Sequence, residues 1–274
     1  MKTFRKSAIL MLISVLTVFV VLSCQKDEED KDYSASQDNA IAEAVFNDVA
    51  NIVDDAYSNG NTSKNPSTLV IIGPCATITL DTFATPRTLT VDFGTTACLC
   101  NDGRYRSGKI IATFTGRYYQ VGTVITISFD NYVVNDHIVS GTKTITNMGL
   151  NTNNNPYFQI SVTGTIVKPN NGGTISWTAS RIREWYAGYG TLPLTDDIYL
   201  ITGSGSGVSA AGTAYTLNIT KALRKEIGCK NIVSGTFELS ISGKAKRTVD
   251  YGDGSCDNIV TVKILNKTYT FTLS

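Results

Sequence analysis

Histidine is almost missing from this chain. Its 274 residues contain one, His137. Ser-His-Asp and Cys-His nucleophile systems need an imidazole to move a proton, so that chemistry rests on His137 or is excluded. His137 sits in NDHIVSG, a turn-like stretch read as an exposed loop. The chain also lacks H-E-x-x-H, a G-x-S-x-G elbow and a phosphate loop. Gly203-Ser204-Gly205-Ser206-Gly207 is glycine-rich, but no helical pattern follows to supply the N-terminus a phosphate site needs. It reads as a flexible loop or an irregular edge. Excess charge of one sign is missing too: 24 Lys and Arg face 23 Asp and Glu. That balance excludes a nucleic-acid footprint. Leucine is scarce and there are only three Met and six Pro. Thr, Ser, Asn and Gly are abundant instead, a mixture that suits strands and turns.

No apolar run is long enough to span a bilayer, which takes about 20 residues. The longest is Ala8 to Leu22, 15 residues interrupted only by Ser14 and Thr17, behind a basic start at Lys2, Arg5 and Lys6. This is the pattern of a secretory signal. Without it, 21 basic face 23 acidic side chains, about −2. Val21-Leu22-Ser23-Cys24 resembles a bacterial lipobox at Val21, Ser23 and Cys24, with Leu22 bulkier than the pattern prefers. The resemblance implies cleavage after residue 23 and a diacylglycerol thioether on Cys24. Acyl chains contribute about 0.8 kcal/mol per buried methylene, so two or three anchor stably. Gln25-Lys26-Asp27-Glu28-Glu29-Asp30 resembles the Lys-plus-acidic export signal of Bacteroidota surface lipoproteins. It implies display on the outer face of the outer membrane; the alternative is a solvated acidic tether over 24–36.

Ile41, Val45, Val49, Ile52 and Ala56 fall on one helical stripe, with Glu43, Asn47 and Asp54 opposite. The spacing predicts an amphipathic helix over 37–57, capped by Ser34 or Ser36, packed on a sheet and followed by a linker up to residue 69. From 70 onward period-two alternation predicts about thirteen strands joined mostly by hairpins. The predicted fold is mainly β: antiparallel sheets as a sandwich or a long curved meander, Val, Ile and Phe on one face and Thr and Ser on the other.

The β region contains a duplication. Thr90–Cys98 reads TVDFGTTAC and Thr248–Cys256 reads TVDYGDGSC, five of nine positions identical. Upstream, Ile72-Gly73-Pro74-Cys75 matches Ile227-Gly228-Cys229. The unit therefore recurs over 72–98 and 227–256. Hairpins centred on Thr85 and Gly243 bring Cys75 near Cys98 and Cys229 near Cys256. In an oxidising compartment these pairs form disulfides, each contributing about 3 kcal/mol for loops of about 24 and 28 residues. Cys100 is left over, with a Cys75–Cys100 pairing as the alternative. Cys98 and Cys100 share a strand face, but nothing supplies the other ligands of a zinc site, so no metal and no cofactor is expected. Asp250, Asp253 and Asp257 suggest a turn rather than a calcium loop.

The most suggestive site is Arg181-Ile182-Arg183-Glu184-Trp185-Tyr186-Ala187-Gly188-Tyr189. Ile175, Trp177 and Ala179 share a core face on which Arg181 and Arg183 would continue, so a bulge or strand end is expected near Ser180. Beyond it Arg183, Trp185, Tyr186 and Tyr189 are candidate ligand contacts, because exposed aromatics stack on sugars or anchor a protein partner. Arg104 and Arg106 are expected on a solvated strand face. Asp196, Asp197, Glu184, Glu226 and Glu238 are carboxylates a glycosidase could use, though no spacing selects a pair.

The lipobox with its acidic follow-on, the acidic helix and TVDFG…CLCNDGRYRSGKI together resemble a group of Bacteroidota surface lipoproteins over nearly the full length. The resemblance brings no activity with it. Three readings follow. The first is a non-catalytic protein, lipid-anchored through Cys24 to the outer membrane and facing the exterior, that binds a glycan or an outer-membrane protein. The second is a hydrolase of envelope or extracellular polymer. The third is a structural envelope component.

Overall fold

The computed structural model describes residues 30–60, 71–117, 119–191 and 194–273, with the side chains of 59, 60 and 194 excepted. Cys24, the predicted signal segment and most of the predicted linker lie outside these residues. Asp32–Ser274 forms one compact unit. Its described residues form one α-helix, α1 (Ser34–Asp55), short π and 3-10 turns, and fourteen strands. These are β1 (Thr77–Asp81), β2 (Arg87–Asp92), β3 (Cys98–Leu99), β4 (Tyr105–Phe114), β5 (Val124–Val134), β6 (His137–Leu150), β7 (Pro156–Val167), β8 (Thr174–Ala187), β9 (Ile198–Val208), β10 (Ala214–Glu226), β11 (Ile232–Ser240), β12 (Arg247–Asp253), β13 (Ile259–Ile264) and β14 (Lys267–Thr272).

All strands belong to one antiparallel sheet in sequential order, with β3 set aside on β4. β1 and β14 are its two edges, so the sheet is an open curved meander and not a closed barrel. It curls round α1. Tyr33, at the start of the helix, stacks on Tyr269 and Phe271 of β14. Phe46 stacks on Trp177 of β8 and meets Phe129 of β5 edge-on. The approach is close: a Cβ on Gly164 of β7 would come within 2.3 Å of Phe46 Cζ. No described residue from Tyr33 to Ser58 is exposed.

Enclosure changes the meaning of the acidic residues on α1. An amphipathic helix normally turns them to water. Here Glu43, Asp48 and Asp55 are buried. The sheet supplies the counter-charges from its core face. Arg181 Nη2 donates to Glu43 at 2.6 Å, Arg106 Nη2 to Asp48 at 2.7 Å, and Lys168 Nζ to Asp38 at 2.8 Å. Lys143 donates to the Phe46 carbonyl at 2.7 Å. Burying a charge costs several kcal/mol unless it is paired and hydrogen-bonded, so strand and helix must carry opposite signs at matched positions.

This corrects four expectations. β8 runs through Ser180 without a bulge, pairing residue for residue with β7 from Tyr157↔Glu184 to Val167↔Thr174. Arg181 and Arg183 keep the core alternation because carboxylates await them inside. Arg104 and Arg106 are buried for the same reason. The glycine-rich stretch is the second half of β9, hydrogen-bonded on both sides. Its glycines make room for interior side chains: a Cβ on Gly207 would lie 2.5 Å from the Tyr215 hydroxyl. Finally, neither Ser34 nor Ser36 caps the helix. Asp32 Oδ1 instead accepts from the Ser34 N–H at 3.0 Å and from its hydroxyl at 2.7 Å.

The duplication is visible as two stapled hairpins. Cys75–Cys98 closes β1–β2 and Cys229–Cys256 closes β11–β12. The shared T-V-D-aromatic-G has one structural job in both copies. Asp92 Oδ1 accepts from Gly94 N–H and Asp250 Oδ1 from Gly252 N–H, each at 2.9 Å. Phe93 and Tyr251 enter the core. Asp253 likewise serves a turn, accepting from Ser255. Cys100 is free and buried. His137 opens β6 half-buried, its Nδ1–H donating to the Asn135 carbonyl at 2.8 Å, rather than lying exposed in a loop.

Candidate functional site

The C-terminal end of α1 reaches one end of the curled sheet, and two adjoining cavities lie there. Asn51, Ile71 and Ile227 line both.

The first cavity sits under the aromatics of β8. Burial alternates along the strand, so Arg183 and Trp185 point inward and Tyr186 points out. Trp185 is 8% exposed, and its Nε1–H donates to Asp197 Oδ1 at 3.1 Å. Tyr189, in the loop after β8, is 58% exposed and meets the Trp185 ring edge-on at 5.1 Å. Tyr119 approaches from the loop between β4 and β5, 6.5 Å from Trp185 and 48% exposed. Tyr199 packs 5.4 Å from Trp185 on the inner side. Of the four ligand candidates, Arg183, Trp185 and Tyr189 are therefore brought together. Tyr186 is on the outer face of the sheet.

The floor is polar. Arg183 donates to Asp54 at 3.3 Å, and its guanidinium lies 4.6 Å over the Tyr199 ring and 5.2 Å over Phe158. Asp55 accepts from the Ile71 N–H at 2.9 Å. Burial raises the Asp54 carboxyl, with Arg183 opposing. Burial also pushes Asp197 up to about 7, against the Trp185 N–H and with help from Asp196 and Asp54. Desolvation takes the Tyr119 phenol to about 12. The enclosed space is small, about 20 Å³, which holds one water. A sugar ring can lie across the mouth but cannot enter.

The other carboxylates named from the sequence lie elsewhere or point away. Glu184 accepts from Asn155 at 2.7 Å, Glu226 pairs with Arg224, Glu238 with Lys246, and Asp196 accepts from Thr191.

The second cavity is larger, about 250 Å³, and lies between the turn before β4 and the turn joining β10 to β11. Arg104, Lys225 and Lys230 bring positive charge to it, and Asp48 and Asp102 negative. Of these only Arg104 was singled out by sequence, and as a solvated residue. For Lys225 the signal is the same broken alternation seen in β8, a cation on a core-facing strand position opposite an acidic helix; Arg104 and Lys230 lie in turns, where there is no alternation to read.

Among the described residues no group of three or more His, Cys, Asp or Glu could hold a metal ion. The chain matches no protein-family model, no curated protein and no solved structure.

Proposed function

We propose that this protein is a lipid-anchored receptor component of the outer-membrane surface, held by Cys24, that binds a carbohydrate at the aromatic end of its β domain. One observation carries the reading. Two exposed tyrosines, Tyr119 and Tyr189, flank the Trp185 indole at the mouth of a cavity floored by Asp54, Arg183 and Asp197. Aromatic faces beside a few convergent polar groups are the usual means of gripping a sugar ring and fixing its orientation. The lipobox and acidic follow-on support the address, because a surface anchor places this end of the domain among extracellular polymers.

The test is glycan-array binding by the soluble β domain with the Tyr119→Ala/Tyr189→Ala pair. Both side chains are about half exposed, so the fold tolerates their loss, whereas Trp185→Ala would also break the Asp197 contact. Binding should drop at least tenfold in the double variant and be unchanged in Tyr186→Ala. Retention of binding in the double variant refutes the site.

A second reading, a polymer hydrolase, is favoured by Asp54 and Asp197, two raised carboxyls lining one cavity. Pairs of carboxyls kept in different protonation states do acid–base work on glycosidic bonds. The one-water volume argues for binding over turnover. Release of reducing ends by the wild type, abolished in Asp197→Asn, would reverse that order.

A further inference from the structure

The second cavity has a charge imbalance that no other described residue resolves. Two carboxylates, Asp48 and Asp102, serve both Arg104 and Arg106. Arg106 donates to Asp48 at 2.7 Å and to Asp102 at 2.6 Å; Arg104 donates to the same two at 3.2 and 2.8 Å. The two arginines thus use up the two acids. Burial works against ionisation, yet the arginines hold the Asp102 carboxyl at about 2, so it stays anionic.

Lys225 and Lys230 are then in excess. Lys225 is 6% exposed and lines the cavity. Its ammonium donates to the Cys229 carbonyl, and among the described residues it has no carboxylate partner. Glu226, the nearest other acid in sequence, is held by Arg224 at 2.6 Å. Asp55 is turned to Ile71 in the neighbouring cavity. Lys230 stands at the rim, and its backbone carbonyl accepts from Arg104 Nη2 at 3.1 Å. Burial, with Arg104 beside it, lowers the Lys225 ammonium to about 8 and lowers Lys230 as well. An unpaired buried ammonium is costly and is normally relieved by a counter-charge.

We propose that this cavity is an oxyanion site: Lys225, Lys230 and Arg104 bind a phosphate or sulfate group, whose negative charge offsets the excess of cations. Charge-assisted hydrogen bonds from ammonium and guanidinium groups suit tetrahedral oxyanions. The cavity volume of about 250 Å³ leaves room for the group and part of whatever carries it. The inference is independent of the sugar reading, since none of these three cations lines the aromatic cavity. The oxyanion has two possible sources, a free ion or a phosphate or sulfate ester on a larger molecule.

Isothermal titration calorimetry at constant ionic strength tests it, with inorganic phosphate and sulfate against chloride, and with glucose 6-phosphate and glucose 6-sulfate as the ester arm. Phosphate and sulfate should bind one per chain where chloride does not. Affinity should fall at least tenfold in Lys230→Gln, which alters only an exposed side chain, and in Lys225→Met. Lys225→Met should also unfold at a higher temperature than the wild type in chloride, having lost an unpaired buried charge, and should gain no stability from sulfate. If inorganic ions bind as well as the esters, the free ion is the ligand. If the esters bind at least tenfold better, the group arrives on a larger molecule. Absence of one-to-one binding in every arm, or binding that both lysine variants leave unchanged, overturns the proposal.

Discussion

The two cavities share three residues and differ in almost everything else. The aromatic cavity holds about 20 Å³ and carries Asp54, Asp55 and Asp197 against Arg183. The basic cavity holds about 250 Å³ and carries Arg104, Lys225 and Lys230 against Asp48 and Asp102. Both draw acids from the same helix, about two turns apart. The difference comes from the strands. β8 brings one arginine to the end of α1, whereas β4, the turn before it and β10 bring Arg106, Arg104 and Lys225 alongside Asp48. An excess of acid in a buried site is relieved by taking up a proton, since carboxyls can be raised to neutral pH. Arginines cannot shed their charge in the same way, and Lys225 beside them keeps its proton up to about pH 8, so at neutral pH the excess of cation calls for an anion.

That contrast can be broken most forcefully at the arginines. Arg106→Met leaves Asp48 and Asp102 buried with one cation fewer, and should cost about 3–5 kcal/mol in urea denaturation. Arg183→Met should cost less than half as much, because Asp54 can take a proton instead. Equal losses would mean that the two ends do not differ as described. Next come the staples. Each disulfide contributes about 3 kcal/mol by loop closure, so Cys229→Ser/Cys256→Ser and Cys75→Ser/Cys98→Ser should destabilise alike. Only the first pair borders the basic cavity, through Cys229. It alone should weaken sulfate binding in calorimetry; equal weakening by both pairs would make the effect global.

The last contrast is in pH dependence, and it has opposite signs at the two sites. Asp197 is lifted from 3.8 to about 7. The native state keeps a proton that the unfolded chain has already released, so its contribution is present below about 4 and is lost as pH rises to about 7. Lys225 is lowered from 10.5 to about 8. Here the unfolded chain holds the extra proton, so stability increases as pH climbs from about 8 to 10.5. Urea midpoints across this range should lose the first slope in Asp197→Asn and the second in Lys225→Met. Wild-type profiles in both variants would end the contrast.

Much of the fold was legible because strand signals are local. Period-two alternation located thirteen of the fourteen strands; Cys98–Leu99, two residues long, has no period to read. The duplicated T-V-D-aromatic-G and its flanking cysteines pointed to both disulfides, with a Cys75–Cys100 alternative that the structure sets aside by leaving Cys100 free. The candidate site was half legible. Trp185 and Tyr189 were found as a cluster of aromatics, but Trp185 proved to be wall rather than exposed platform. Tyr119 was missed, since it joins them from 66 residues away.

Antiparallel strands, one helix and two stapled copies of a hairpin could be read from the residues alone, since each depends on neighbours a few residues to a few tens of residues apart. That the strands form one curved meander and not a sandwich, and what the charges do, follow from long-range packing. Alternation placed Arg181 and Arg183 on the core face and then made that placement look impossible. The resolution is a helix lying 138 residues upstream, whose Glu43 meets Arg181 at 2.6 Å inside the curled sheet. A buried cation is acceptable or forbidden according to what faces it across the core, and that partner is set by how the sheet closes round the helix.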